Sequence, residues 1–93
     1  MIVEKQVRIL NTLGFHVRPA TDFAEKAKQF QSAISIVGEK GAIVNAKSCI
    51  DLLTMAAVTG MELTLRAEGP DAQEAVEVLA RMFQEFQDRY GER

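Results

Sequence analysis

MELTLRAEGPDAQEAVEVLARMFQEF, residues 61–86, carries two hydrophobic periods back to back. Met61, Leu63, Leu65 and Ala67 alternate with Glu62, Thr64 and Arg66, the period of two that buries one face of a strand. After Gly69-Pro70-Asp71 the period lengthens. Ala72, Ala75, Val76, Leu79, Met82, Phe83 and Phe86 share one helical face, and Glu74, Glu77, Arg81 and Gln84 fall largely on the other. A strand with one buried face, followed by a helix with one apolar face, predicts helices packed on one side of a sheet.

The rest of the chain repeats that theme. Residues 2–10 are rich in β-branched side chains and alternate at Val7-Arg8-Ile9, which predicts a strand. Asn11-Thr12-Leu13-Gly14 breaks the pattern as a loop. Ala20, Phe23, Ala24, Ala27 and Phe30 then recur at spacings of three and four, the stripe of a helix. Pro19 sits just before the stripe, where a missing N–H has no helical partner anyway. The helix is therefore expected to begin within a residue or two of His16. Residues 32–37 and 42–46 carry Ile34, Ile36, Ile43 and Val44 around Gly38-Glu39-Lys40-Gly41, which predicts a hairpin. Residues 47–57 read as a short helix opened by Ser48 and stopped by Gly60. The order is β-α-β-β-α-β-α, an α+β arrangement with an antiparallel or mixed sheet.

Ninety-three residues suit one domain, residues 1–93, with a limited core. A deep cleft for a large cofactor is not expected in such a chain, and a shallow surface site is. The net charge of −2, without a run of Lys and Arg, argues against nucleic-acid binding. One cysteine, Cys49, can form no internal disulfide and has no second thiol to share a metal. No apolar run approaches the roughly 20 residues of a membrane span. The first residues lack the basic-then-apolar order of a signal peptide. A cytoplasmic monomer without metal, cofactor or membrane insertion is the expectation.

The chemistry concentrates in GFHVRPA, residues 14–20. Gly14 permits a sharp turn before the helix. The N–H groups of the first helical turn lack intrahelical acceptors, and the helix dipole is positive there, so an anion is welcome. Arg18 adds a permanent charge on a planar fork of donors suited to phosphate. His16, the only histidine, supplies a ring nitrogen that can be an uncharged nucleophile near neutral pH. The same residues also admit a plainer account, in which His16 caps the helix and Arg18 is a surface charge. Spacing alone does not say that the anion is a phosphoryl group.

Residues 14–20 resemble the G-[LFM]-H-[ATV]-R-P-A signature of the HPr family, phosphocarriers of the bacterial phosphotransferase system. A second family motif appears as NAKSCIDLL, residues 45–53, and the resemblance covers nearly the whole chain. Residues 9–14 and 66–70 look more like the nitrogen-related branch, often called NPr, although the sugar-transport branch uses similar segments. The resemblance implies an open-faced β-sandwich, a four-stranded antiparallel sheet with three helices on one face. It also implies that Enzyme I, charged by phosphoenolpyruvate, passes a phosphoryl group to His16 through Nδ1. The group would then go to a IIA protein or domain, in sugar uptake or its regulation. Arg18 would balance charge on the phosphoryl oxygens, and backbone N–H groups near Val17 and Arg18 would add hydrogen bonds. Such a carrier is not an enzyme with turnover of its own. The alternative from another class is a regulatory domain in which His16 and Arg18 bind a small anion without covalent chemistry.

Ser48 matches the serine that a dedicated HPr kinase phosphorylates in many family members. Ser48 followed three residues later by Asp51 also comes close to a capping box, which explains the serine without regulation. In the family, residues after that serine form an apolar patch that docks on partners. Phe15, Lys47, Cys49 and Ile50 are the candidates here. For the apolar residues after Ser48, the competing account is burial in the core.

Overall fold

The structure is a computed structural model that describes residues 1–8, 17–39, 41–55 and 62–90. The elements are β1 (Ile2–Arg8), α1 (Val17–Ala27), β2 (Ala33–Val37), β3 (Ile43–Asn45), α2 (Cys49–Met55), β4 (Glu62–Glu68) and α3 (Ala72–Tyr90). The expected order of elements is the observed one. Several borders are narrower. Phe30 lies beyond the end of α1 and still packs against the core. Ser32 precedes β2 instead of belonging to it, and α2 starts at Cys49 because Ser48 is its cap. Ile9 and Leu10, and the expected end of α2 with its stop at Gly60, lie outside the described residues.

The strands form one antiparallel sheet in the order β1-β4-β2-β3. Residue pairs such as Ile34 with Ala67 and Ile36 with Leu65 put the apolar rows of β2 and β4 on the same face. Leu63, Leu65, Ala67, Ile34 and Ile36 are all buried there. The three helices cover that face with Ala20, Phe23, Ala24 and Ala27 from α1, Leu52 from α2, and Ala72, Ala75, Val76, Leu79 and Phe83 from α3. Phe23 and Phe83 meet edge to face, with centroids 6.5 Å apart. This is the open-faced arrangement: the other sheet face, with Glu4, Arg8, Glu62 and Arg66, stays in water.

A polar clamp ties the exit of α1 to the start of α3. Ser32 is fully buried, and its hydroxyl donates to Asp71 Oδ1 at 2.5 Å. The N–H groups of Ser32 and Gln31 donate to the two Asp71 carboxylate oxygens at 2.9 Å each. Beside the clamp, Gly69 has a φ of +151°, and a β-carbon there would stand 2.6 Å from Ser32 Oγ and 2.7 Å from Ser32 Cα. Only glycine fits both the backbone conformation and the space. The Gly69 N–H donates to the Met1 carbonyl at 2.9 Å, which extends the β1–β4 ladder by one pair.

The Ser32 hydroxyl, followed by the Gln31 N–H, holds the Asp71 carboxyl below its ordinary value of 3.8. A depressed carboxyl stabilises the fold fully above the unfolded value and ceases to do so as pH falls through the folded one. The wild-type chain should therefore melt above Asp71→Asn at neutral pH. The gap in Tm should close as the pH drops below 3.8. A gap of constant size, measured by thermal melts down the same pH series, would exclude this contribution.

Candidate functional site

Helix α1 begins at Val17, the residue after His16 in the chain. Pro19 is its third residue, within the first turn, as the spacing requires. That turn contains no acidic side chain, so no carboxylate of its own competes for the free N–H groups at the positive end of the dipole. The N–H groups of Val17 and Arg18 belong to this end. His16 and Phe15 lie outside the described residues, as does the Arg18 side chain.

Helix α2 stands beside α1. Thr21 Oγ1 and Cys49 Sγ are 3.4 Å apart, which brings the first residue of α2 against the second turn of α1. Cys49 is half-buried and packs on the core, so it serves both of the accounts given above. Ile50 does not. It is 73% exposed, a large apolar side chain that the fold leaves in water. Leu52, fully buried, is the residue that anchors α2. The short helix thus turns Leu52, Cys49 and Leu53 to the core and Ile50 to the solvent.

Ser48 caps α2. Its hydroxyl accepts the Asp51 N–H at 3.2 Å, and its carbonyl accepts the Leu52 N–H at 3.0 Å. The Ser48 N–H donates to the Asn45 carbonyl at 3.0 Å, and the Asp51 carboxylate takes the Asn45 N–H at 3.2 Å. Asp51 therefore braces the turn before the helix. Asn45 Oδ1 in turn accepts the Lys47 N–H at 2.9 Å, an Asx turn that the sequence reading passed over although Asn is a common turn residue. The head of Lys47 is tied to the backbone beyond α1. Its Nζ donates to the Phe30 carbonyl at 2.8 Å, at the far end of α1. No local signal marks Thr21 as a contact between the two helices. Only a structure shows which turn of α1 meets α2.

Among the described residues no group of three His, Cys, Asp or Glu side chains could hold a metal, and no helix is long and apolar enough to cross a membrane. Residues 3–85 match the family model described as the PTS HPr component phosphorylation site. The phosphocarrier protein HPr of Treponema pallidum is 43% identical over 83 residues, which is 89% of this chain and 93% of that protein. The crystal structure of a phosphocarrier protein HPr from Bacillus anthracis superposes with a TM-score of 0.79 at 38% identity, covering 87% of this chain and 95% of that one. Crh of Bacillus subtilis, whose crystal structure is described as a dimer with a swapping domain, superposes with a TM-score of 0.73 at 43% identity, covering 89% and 94%. Nothing in these likenesses favours the non-covalent anion-binding alternative. The fold, the helix that opens beside the single histidine, and a family match running over almost the whole chain agree, and the chain belongs to the HPr family of phosphocarrier proteins of the phosphotransferase system.

Proposed function

We propose that His16 is the carrier residue of a single phosphocarrier domain, residues 1–93, acting in the cytoplasm. It accepts a phosphoryl group from Enzyme I charged by phosphoenolpyruvate and donates it to a IIA protein or domain. The observation that carries this reading is the start of α1 at Val17, with no acid in its first turn. The neutral imidazole attacks phosphorus through Nδ1 while Nε2 keeps its proton. A P–N bond forms as the donor's bond to phosphorus breaks, and the electron pair leaves with the donor. Arg18 and the N–H groups of Val17 and Arg18 hold the phosphoryl oxygens through this exchange. No metal or cofactor takes part, because positioning and charge stabilisation suffice.

The test is a mass measurement after incubation with Enzyme I and phosphoenolpyruvate. One added phosphoryl group is expected, lost in acid and retained in base, as a phosphoramidate requires. Ser48 is the candidate for a second, regulatory phosphorylation by an HPr kinase. Its ester would show the opposite stability, so the same treatment separates the two residues. An unmodified mass, or an acid-stable one from Enzyme I alone, would refute the assignment of His16.

Phe15, Lys47, Cys49 and Ile50 form the proposed docking region. Lys47, whose Nζ is held at the Phe30 carbonyl, contributes charge, and Ile50 contributes the exposed apolar contact. Ile50→Glu should leave the melting temperature nearly unchanged and weaken partner binding by about 2 kcal/mol, the scale of an apolar anchor in an interface. Titration calorimetry against a IIA partner would read that loss. Equal affinity of the two forms would remove Ile50 from the interface.

A further inference from the structure

An open groove of about 770 Å³ runs between β1 and α3. Val3, Lys5 and Val7 line it from the strand, and Val76, Ala80 and Arg81 from the helix. Val3, Val7 and Ala80 are half-buried and pack on the core, so the floor is apolar. Lys5 and Arg81 are exposed, and neither has a hydrogen bond or ion pair with another described residue. The carboxylate on the helix wall, Glu77, is already held by Gln73 Nε2 at 2.7 Å. Strand and helix leave the same junction: Gly69 donates to the Met1 carbonyl, and the Ala72 N–H reaches the Gly69 carbonyl. At about 3.4 Å per strand residue and about 1.5 Å per helical residue, Lys5 and Arg81 each lie about 14 Å from that junction. The two cations therefore stand level, one on each wall.

The strand beside the groove is also an outer strand of the sheet, with β4 as its neighbour. The bond from Gly69 makes Met1 and Gly69 a hydrogen-bonded pair. Val3, Lys5 and Val7 stand at the same phase and turn their backbone groups to Ala67, Leu65 and Leu63. The N–H and C=O groups of Glu4 and Gln6 point the opposite way, out of the sheet. We propose that edge and groove together receive an extended segment of a partner protein, laid antiparallel along β1, with an acidic side chain at Lys5 and Arg81 and an apolar one on either side.

The register follows from the pleat. Residues of the added segment opposite Glu4 and Gln6 exchange backbone hydrogen bonds with them and turn their side chains to the open face of the sheet. Residues opposite Val3, Lys5 and Val7 turn theirs into the groove. The segment therefore reads apolar, any, acidic, any, apolar. Its backbone supplies affinity and its alternate side chains supply selectivity, as in other cases of strand addition. One strand and three side chains make a small contact, so binding is weak and falls as salt rises. This site goes beyond the carrier function and does not depend on His16.

The test titrates the full chain with a blocked peptide, Val-Thr-Glu-Thr-Val, and follows backbone amides by NMR at low salt. Binding should slow hydrogen exchange at the Glu4 and Gln6 N–H groups, which water reaches in the free chain. Lys5→Glu and Arg81→Glu should each weaken binding about tenfold, because attraction becomes repulsion. Exposed reversals of this kind cost the fold little, which thermal melts check. Lys5→Glu should in turn prefer the peptide with lysine at its centre. A peptide with proline at its second position lacks the N–H that meets Gln6 and should not bind. Glu4 and Gln6 amides that exchange as fast with peptide as without it overturn the proposal, and leave Lys5 as a charge that keeps strand edges apart. Affinity unchanged in both charge variants overturns it as well. Equal binding of the proline peptide would exclude strand addition. Displacement of the peptide by acetate at equal concentration would mean a site for small carboxylates, and would equally exclude a peptide segment as its ligand.

Discussion

His16→Ala should abolish phosphorylation by Enzyme I and phosphoenolpyruvate. The chain has no second histidine, so no other imidazole can take the place of the first. The helix N-terminus and Arg18 would remain to attract an anion, but without a ring nitrogen no P–N bond can form. The loss should thus be complete, and no residual rate should grow with Enzyme I concentration. Arg18→Ala is expected to behave differently, because nucleophile and helix dipole both persist. Transfer should slow without stopping, and Arg18→Lys should recover part of it, since an ammonium supplies the charge but not the planar fork. Labelling with radioactive phosphoenolpyruvate, followed over time for the three variants, reads all of this. Phosphorylation of His16→Ala at any appreciable rate would mean that the acceptor lies elsewhere.

The largest expected loss of stability is at Phe23. Its ring is fully buried and meets Phe83 edge to face at 83° between planes, joining α1 to α3 over the sheet. Phe23→Ala removes both the burial of the ring and that contact, and leaves a cavity that the rigid surroundings close only in part. The expected cost is about 3–5 kcal/mol. Domains of this size hold a total of only about 5–15 kcal/mol, with small ones near the lower end. The variant should be largely unfolded near physiological temperature, and its urea midpoint should fall steeply with little change in slope. Phe23→Leu, which refills most of the volume, should return a good part of the loss. A midpoint for Phe23→Ala within a few tenths molar of the wild type would show that the core does not depend on this contact.

Much of this fold is legible in the residues. Leu63, Leu65 and Ala67 are buried as their alternation requires, and Ala75, Val76, Leu79 and Phe83 are buried as their helical spacing requires. The hairpin of β2 and β3 and the start of α1 beside His16 follow from turn residues and from Pro19. Periodicity reports which face of an element is buried and is silent on its neighbours. The strand order, which sets β1 beside β4, 54 residues away at Arg8 and Glu62, is for that reason invisible in the sequence. The same holds for polar contacts. Asp71 reads as a residue that opens α3, and the Ala75 N–H does bond to its carbonyl. Its carboxylate serves Gln31 and Ser32, 40 and 39 residues earlier, and nothing local marks that choice. Lys47 is a similar case. It reads as a docking residue that acts by its charge, and no local signal shows that its head reaches the Phe30 carbonyl, 17 residues earlier. Around the site, the start of α1 at Val17 and the cap at Ser48 could be read from local signals, whereas for Ile50 periodicity left core and surface both open and only the family resemblance pointed to the surface. The contact between Thr21 and Cys49 could not be read, because it depends on how two helices cross.

The bond between Gly69 and Met1 has a practical consequence for measuring the carrier at work. It pins the beginning of β1 to the junction of β4 and α3, alongside the Ser32 and Asp71 pair at the exit of α1. The start of α1 lies a helix length from there, about 16 Å for eleven residues. A dye or affinity handle joined ahead of Met1 would leave the molecule at that far pole. It could report on a carrier meeting its partners without standing in their path.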